Sequence, residues 1–211
     1  MLAMPDFRAF QELSPTALAN VLTREHVMDI AIRPLWAGMP RIAGPAYTVR
    51  CGPGDNLMLH AAIYRAPPGS VVVVDAAGDT NYAVAGGNVC AIAQRRGIAA
   101  FVIDGVIRDL AEIRENAFPV FARGVVPIPG VKDLTAPLNA PVQCGGVHVG
   151  PGDVVVADEE GIVVVPSAKA DAILAAAQKS AAKEASETLD QWEAAHRARV
   201  EEILRGKGFS G

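Results

Sequence analysis

The sequence predicts an α/β sandwich built as one domain, and three observations carry that prediction. Strands and helices alternate through the first half of the chain, a strand-rich section runs from Val120 to Val165, and the stretch from Pro166 to Arg205 has the composition of helix. A chain of 211 residues suits one sizeable core and leaves little for a second. The domain divides into N-terminal helices over 1–42, a mixed core over 43–166 and a C-terminal helix over 167–211.

Each element has its own signal. Phe7 to Ile32 carries apolar residues at helical spacing, and Ser14-Pro15 reads as the N-cap and first residue of a second helix. Ala46 to Arg50 is a strand, and the turn Gly52-Pro53-Gly54-Asp55 leads into a helix from Asn56 to Arg65. Pro68-Gly69 then launches Val71-Val72-Val73-Val74, which is apolar on both faces and so predicts a buried strand ending at Asp75. That segment recurs once, as Pro151-Gly152-Asp153-Val154-Val155-Val156-Ala157-Asp158, predicting two equivalent strands. Between the copies lie Gly86-Gly87-Asn88, a helix to Arg96, a strand from Ala99 to Asp104, Gly105, and Arg108-Asp109 opening another helix. The C-terminal helix holds little apolar material besides Ala from Ala175 to Ser186, so a neighbouring subunit is its expected support.

Composition narrows function. The net charge is −4 and Lys and Arg are dispersed, which argues against nucleic acid and anionic membranes as partners. The N-terminus lacks a basic segment followed by an apolar run, and no window is long and apolar enough to span a bilayer, so a cytoplasmic location is expected. Cys51, Cys90 and Cys144 are odd in number and widely spaced, which favours reduced core thiols over disulfides or structural zinc. His26, His60, His148 and His196 show no ligand spacing, and no nucleophile motif is present.

Two places could carry chemistry. Gly86-Gly87-Asn88-Val89 precedes a helix, where free backbone N–H groups favour a carboxylate or phosphate, although two glycines could equally make a plain tight turn. Arg108-Asp109 falls about four residues past a buried strand, a position where open α/β sheets bind ligands. Arg108 can neutralise a developing oxyanion, and Asp109 offers a hard oxygen to magnesium or manganese. The competing reading makes Asp109 and Glu112 a capping box, D-x-x-E, with no ligand at all. Asp75, Asp104 and Asp158, at strand ends, could line a site or hold a turn.

Several motifs then occur together in order: G-G-N-V, V-I-D-G-V-I-R-D, F-P-V-F-A-R-G, P-V-Q-C-G-G-V and P-G-D-V-V-V-A-D-E-E-G-I-V-V-V-P. From Gly44 to Pro166 the chain resembles the 4-hydroxy-4-methyl-2-oxoglutarate aldolase family, which includes oxaloacetate decarboxylases and the regulator of ribonuclease E activity. The resemblance implies an αββα sandwich similar to the phosphohistidine domain of phosphotransfer enzymes, assembled as trimers or hexamers with sites between subunits. It implies a divalent-metal-dependent class II pyruvate aldolase or decarboxylase acting on small 2-keto acids. In that scheme the amides of Gly86, Gly87, Asn88 and Val89 hold the substrate carboxylate, Arg108 contacts the keto oxygen and Asp109 binds Mg2+ or Mn2+. A glutamate from the neighbouring C-terminal helix completes the site, with Glu184 the best match and Glu187 the fallback. Many members carry an acidic residue where this chain has Gly87, so decarboxylation, which needs no base for a hydroxyl proton, is expected to survive better than aldol cleavage. A non-catalytic regulator that binds a ribonuclease or another protein partner is the rival reading.

Overall fold

The structure is a computed structural model that describes residues 5–209, so the first four residues, on which the reading of the N-terminus partly rests, lie outside it. Ser14 caps α2 (Pro15–Ala19) as its sequence predicts: its hydroxyl accepts from the Ala17 N–H at 3.1 Å, and Pro15 takes the first helical position, where no N–H is missed. Both N-terminal helices are short, however. After α1 (Phe7–Glu12) and α2, the chain passes through one 3-10 turn at Arg24–His26 to a two-residue strand, β1 (Arg33–Pro34).

The fold is mixed α/β around a seven-stranded sheet ordered β1-β5-β4-β3-β2-β8-β9. Its members are β2 (Ile42–Arg50), β3 (Val71–Ala85), β4 (Ala100–Ile107), β5 (Val120–Val125), β8 (Val154–Asp158) and β9 (Gly161–Val165). Strands β2 to β5 run parallel, while β1, β8 and β9 are antiparallel to their neighbours. A separate hairpin joins β6 (Val142–Cys144) to β7 (Val147–Val149).

Strand β2 belongs to both halves of this sheet. Its residues Ala46–Arg50 pair in parallel with Val71–Asp75, whereas Ile42–Pro45 pair antiparallel with Val154–Ala157. The two repeat copies therefore flank the same strand. Their Pro-Gly turns match, with Gly69 at φ +83° and Gly152 at φ +81°, the left-handed geometry that glycine adopts without steric cost. The strands they launch are not equivalent, since one runs with β2 and the other against it.

The burial pattern follows from strand alternation. Val72, Val74, Phe101 and Ile103 face α3 (Leu57–Ala62), α4 (Gly87–Arg95) and α5 (Leu110–Glu115), which contribute Leu59, Ala93 and Ile113. Their neighbours Val71, Val73, Ala100 and Val102 turn to the other side and meet Val155, Ala157, Ile162 and Val164 with the hairpin. The outer face of β8 and β9, through Val154, Val156, Val163 and Val165, packs on Phe10, Leu18 and Ala177. The layers thus run helices, parallel strands, antiparallel strands, helices.

Two strands extend further than the sequence predicts. Strand β4 does not stop at Asp104 but passes through Gly105 to Ile107, because Gly105 is an in-strand glycine whose Cβ would sit 3.0 Å from Ala76 Cβ. Strand β3 resumes after a wide irregularity and pairs Ala83 with Val106 and Ala85 with Ile107. Asp79 holds that irregular stretch, accepting from Asn81 N at 2.9 Å and Gly54 N at 2.8 Å.

The C-terminal region is two helices, α6 (Ala170–Ser186) and α7 (Leu189–Gly206), separated by Glu187 and the capping residue Thr188. Helix α6 buries only Ala170 and Ala177, and α7 buries none of its residues, leaving Leu189, Trp192 and Ile203 exposed. Among the described residues no helix is long and apolar enough to cross a membrane.

Candidate active site

The C-terminal ends of β3 and β4 open on a narrow cleft of about 70 Å³. Strand β3 ends at Ala85 and α4 begins at Gly87, while Arg108 and Asp109 follow β4 directly rather than four residues later. This is where open parallel sheets bind ligands, because the strand ends diverge and their loops are free to carry side chains. The cleft brings together Gly86, Asn88, Val89, Arg108 and Asp109.

Close approach fixes Gly86. Its backbone is extended at φ −153°, which any residue could adopt, but a Cβ there would lie 2.6 Å from Asp109 Oδ2 and 3.1 Å from Arg108 Cγ. No side chain caps α4 from the Gly86 position; the first amide, Gly87 N–H, instead donates to Asp109 Oδ2 at 3.1 Å. The four-residue anion cradle is thereby reduced, because one amide is already taken. Asn88 and Val89, in the same first turn, have no carbonyl of their own helix to bond and face the cleft.

Asp109 is not half of a capping box. It sits at φ 59°, ψ 39°, in the left-handed region, and forms no side-chain cap on α5. That conformation costs a non-glycine residue about 1–2 kcal/mol, less for Asp, and it swings the carboxylate from its own helix to the start of α4. Both contacts of the carboxylate fall on Oδ2: Gly87 N at 3.1 Å and Arg108 Nε at 3.5 Å. Oδ1 makes no hydrogen bond or ion pair among the described residues. Arg108 is fixed through its backbone, which donates to Ala85 O at 3.0 Å, while its side chain, which lines the cleft, stays 41% exposed.

The opposite wall was not singled out by sequence. Asn56 immediately precedes α3, His60 lies in that helix's last turn, and Lys132 comes from the loop after β5. Asn56 is 3% exposed, and its Nδ2 donates to Gly130 O at 3.2 Å and more weakly to Ala83 O at 3.5 Å. Two carbonyls on one side fix the amide's orientation, so Oδ1 is buried with no partner among the described residues. His60 is held below the ordinary histidine range, first by burial and then by the Lys132 cation.

Asp55 puts Lys132 there. Its buried carboxylate accepts from Leu57 N at 2.8 Å, Asp133 N at 2.6 Å and Leu134 N at 3.0 Å, tying the loop to the start of α3. Burial pulls its carboxyl upward most strongly, but the N–H groups of Leu57, Leu134 and Asp133, with Lys132, together hold it below the usual carboxylate range. A carboxyl lower in the folded than in the unfolded chain stabilises the fold above its unfolded pKa of about 3.9, and that stability is lost as pH falls through the folded value. Asp55→Asn is therefore expected to lower the denaturant midpoint at pH 7 and to flatten its fall below pH 4. A variant whose acid limb parallels the parent's would reject this role.

The other candidates are placed elsewhere. Glu184 and Glu187 line a separate hollow between α6 and α7, with Trp192, and Glu184 accepts from Asn20 Nδ2 at 3.3 Å. Within one chain they do not meet Arg108 and Asp109. The strand-end carboxylates are structural: Asp75 pairs with Arg50 at 3.2 Å, Asp104 with Arg123 at 2.5 Å and Asp158 with Arg41 at 2.8 Å. Cys51 and Cys90 are buried free thiols pushed up to about 11 and about 12 by burial, and burial also raises the Cys144 thiol well above the ordinary range. No group of three or more His, Cys, Asp or Glu suited to a metal occurs among the described residues.

Comparison with known proteins gives this cleft a context. A family model described as RraA-like, Aldolase/RraA, matches residues 14–164. A Halalkalibacterium halodurans protein provisionally named 4-hydroxy-4-methyl-2-oxoglutarate aldolase is 38% identical over 173 residues, 82% of each chain. Among solved structures, a Streptomyces coelicolor member of the RNase ES inhibitor RraA protein family aligns with a TM-score of 0.71 at 30% identity, covering 92% of this chain and 99% of its own. The RNA-processing inhibitor RraA from Thermus thermophilis aligns at 0.66 and 28% identity, covering 72% and 92%.

Proposed function

The chain belongs to the RraA-like family, and from that premise we propose that it is a divalent-metal-dependent carbon–carbon lyase acting on small 2-keto acids. The substrates are oxaloacetate, which it decarboxylates, and 4-hydroxy-2-keto acids of the 4-hydroxy-4-methyl-2-oxoglutarate type, which it cleaves. The observation that carries this reading is the Asp109 carboxylate, turned out of its own helix so that Oδ2 is anchored while Oδ1 carries no hydrogen bond or ion pair among the described residues, on a residue that lines the cleft beside Arg108. One free hard oxygen suits Mg2+ or Mn2+, which take one or two carboxylates and fill the remaining positions with water and substrate.

Bound at Asp109, the ion would act as a Lewis acid on the substrate's keto oxygen. The chain's own groups do the rest. The Asn88 and Val89 amides receive the carboxylate next to the keto group, at the positive end of the α4 dipole. Arg108 places its guanidinium where negative charge gathers on the keto oxygen as the C–C bond breaks. Lys132 on the far wall suits a second carboxylate, which both proposed substrates carry. In a trimer or hexamer, Glu184 or Glu187 of a neighbouring copy would approach the open side; the bare surface of α7 supports such an assembly.

The test is pyruvate release from oxaloacetate by the purified protein, with Mg2+ or Mn2+ and with chelator. Metal-dependent turnover above the free-ion background supports the reading. The resemblance to inhibitors of RNA processing favours one rival, a regulator that binds a ribonuclease. An oligomer that is inert on keto acids yet inhibits a purified ribonuclease would establish that rival instead.

A further inference from the structure

We propose that His60 is the proton acceptor for aldol cleavage, taking the hydroxyl proton of the 4-hydroxy-2-keto acid. The inference rests on the lyase reading and goes beyond it, because cleavage requires a base that decarboxylation does without. The cleft offers few candidates. Arg108 and Lys132 are cations, Asn56 does not titrate, and Asp109 already accepts from Gly87 N and serves the metal. Gly87 contributes no side chain, and a Cβ there would meet Glu112 Oε2, whose own residue does not line the cleft. That leaves His60.

Its setting suits the task. The imidazole shares the cleft wall with Asn56 and Lys132, and neither a hydrogen bond nor an ion pair holds it among the described residues. The charged groups around it are Lys132 from the loop after β5, Arg108 and Asp109 across the cleft, and Asp55 buried at the start of its own helix. Burial and Lys132 keep the ring neutral at physiological pH, so a nitrogen lone pair is available.

The step balances. The hydroxyl proton passes to the imidazole, the electrons of that O–H bond form the new carbonyl, and the bond between this carbon and C3 breaks. Its electron pair stays with the pyruvate fragment as an enolate. The imidazolium then returns the proton to C3, giving pyruvate and the second carbonyl product.

The experiment compares wild type with His60→Gln on two substrates, using the metal-loaded protein. Cleavage of 4-hydroxy-4-methyl-2-oxoglutarate is expected to fall by about 100-fold in kcat with little change in KM, while oxaloacetate decarboxylation stays within about threefold. Wild-type cleavage should rise with pH through an apparent pKa below the ordinary histidine value, and the variant should lose that limb. A readout without metal or turnover is the NMR titration of the imidazole signal that His60→Gln removes, expected below the usual histidine range. Equal loss of both reactions would make His60 a shaping residue and overturn the inference. So would unchanged cleavage, or an imidazole that remains cationic at neutral pH. A wild type that decarboxylates but never cleaves would overturn it while leaving the decarboxylase part of the lyase reading intact; a wild type with neither activity would remove that reading first.

Discussion

Asp109→Ala is expected to lower metal-dependent oxaloacetate decarboxylation by about 10³-fold or more, the loss of roughly 4 kcal/mol of transition-state stabilisation. Two things disappear together: the oxygen for the ion and the acceptor for Gly87 N–H at the start of α4. Companion variants separate them. Asp109→Asn keeps an acceptor but loses the charge, so it should be as inactive as Ala while retaining more of the α4 contact. Asp109→Gly relieves the left-handed backbone at φ 59° and should be inactive without the added strain that Ala brings. Calorimetric titration with Mn2+ provides the second measurement, and no heat of binding is expected for any of the three. Residual activity within tenfold of wild type would mean that the ion is held elsewhere.

The second large effect concerns Arg108. Arg108→Lys preserves the charge but not the planar fork, and kcat for decarboxylation is expected to drop by about 100-fold, in the range seen when one preorganised donor to a developing oxyanion is removed. The loss should fall on kcat more than on KM, because the keto oxygen carries its full charge only as the bond breaks. Stability should change little, since the side chain is 41% exposed and its anchoring bond to Ala85 O is made by the backbone. A variant with raised KM and unchanged kcat would recast Arg108 as a simple carboxylate binder.

Much of this was legible in the sequence, and the reasons are local. Ser14-Pro15 and the two Pro-Gly turns restrict backbone dihedrals by themselves, so they appear where their residues predict them. The valine runs at 71–74 and 154–156 are apolar at every position, which only strands covered on both faces can satisfy. Arg108, Asp109 and the start of α4 were also visible, being adjacent to a buried strand and to paired glycines. What escaped was nonlocal. The run from Val71 predicts a strand ending at Asp75, yet β4 pairs Val106 and Ile107 with Ala83 and Ala85 and so carries β3 on to Ala85. D-x-x-E at Asp109 reads as a capping box, but the left-handed backbone sends its carboxylate to another helix. The wall made by Asn56, His60 and Lys132 depends on Asp55 capturing backbone N–H groups nearly eighty residues away, at Asp133 and Leu134. No periodicity encodes that contact.

The double membership of β2 also shapes how the chain is made. During synthesis the parallel strands emerge first, and their inner face, with Val71, Val73, Ala100, Val102 and Phe121, has nothing to pack on. Its cover is Val155, Ala157, Ile162 and Val164 with the hairpin, and β8 can only dock along the half of β2 that has waited since residue 42. At about 5–20 residues per second, a nascent chain spends several seconds or more as an open-faced sheet with a free edge at Ile42–Pro45. Such an intermediate invites strand addition from other chains, so the yield of soluble protein should depend more on ribosome speed and chaperone supply than the closed, valine-filled interior of the finished molecule would suggest.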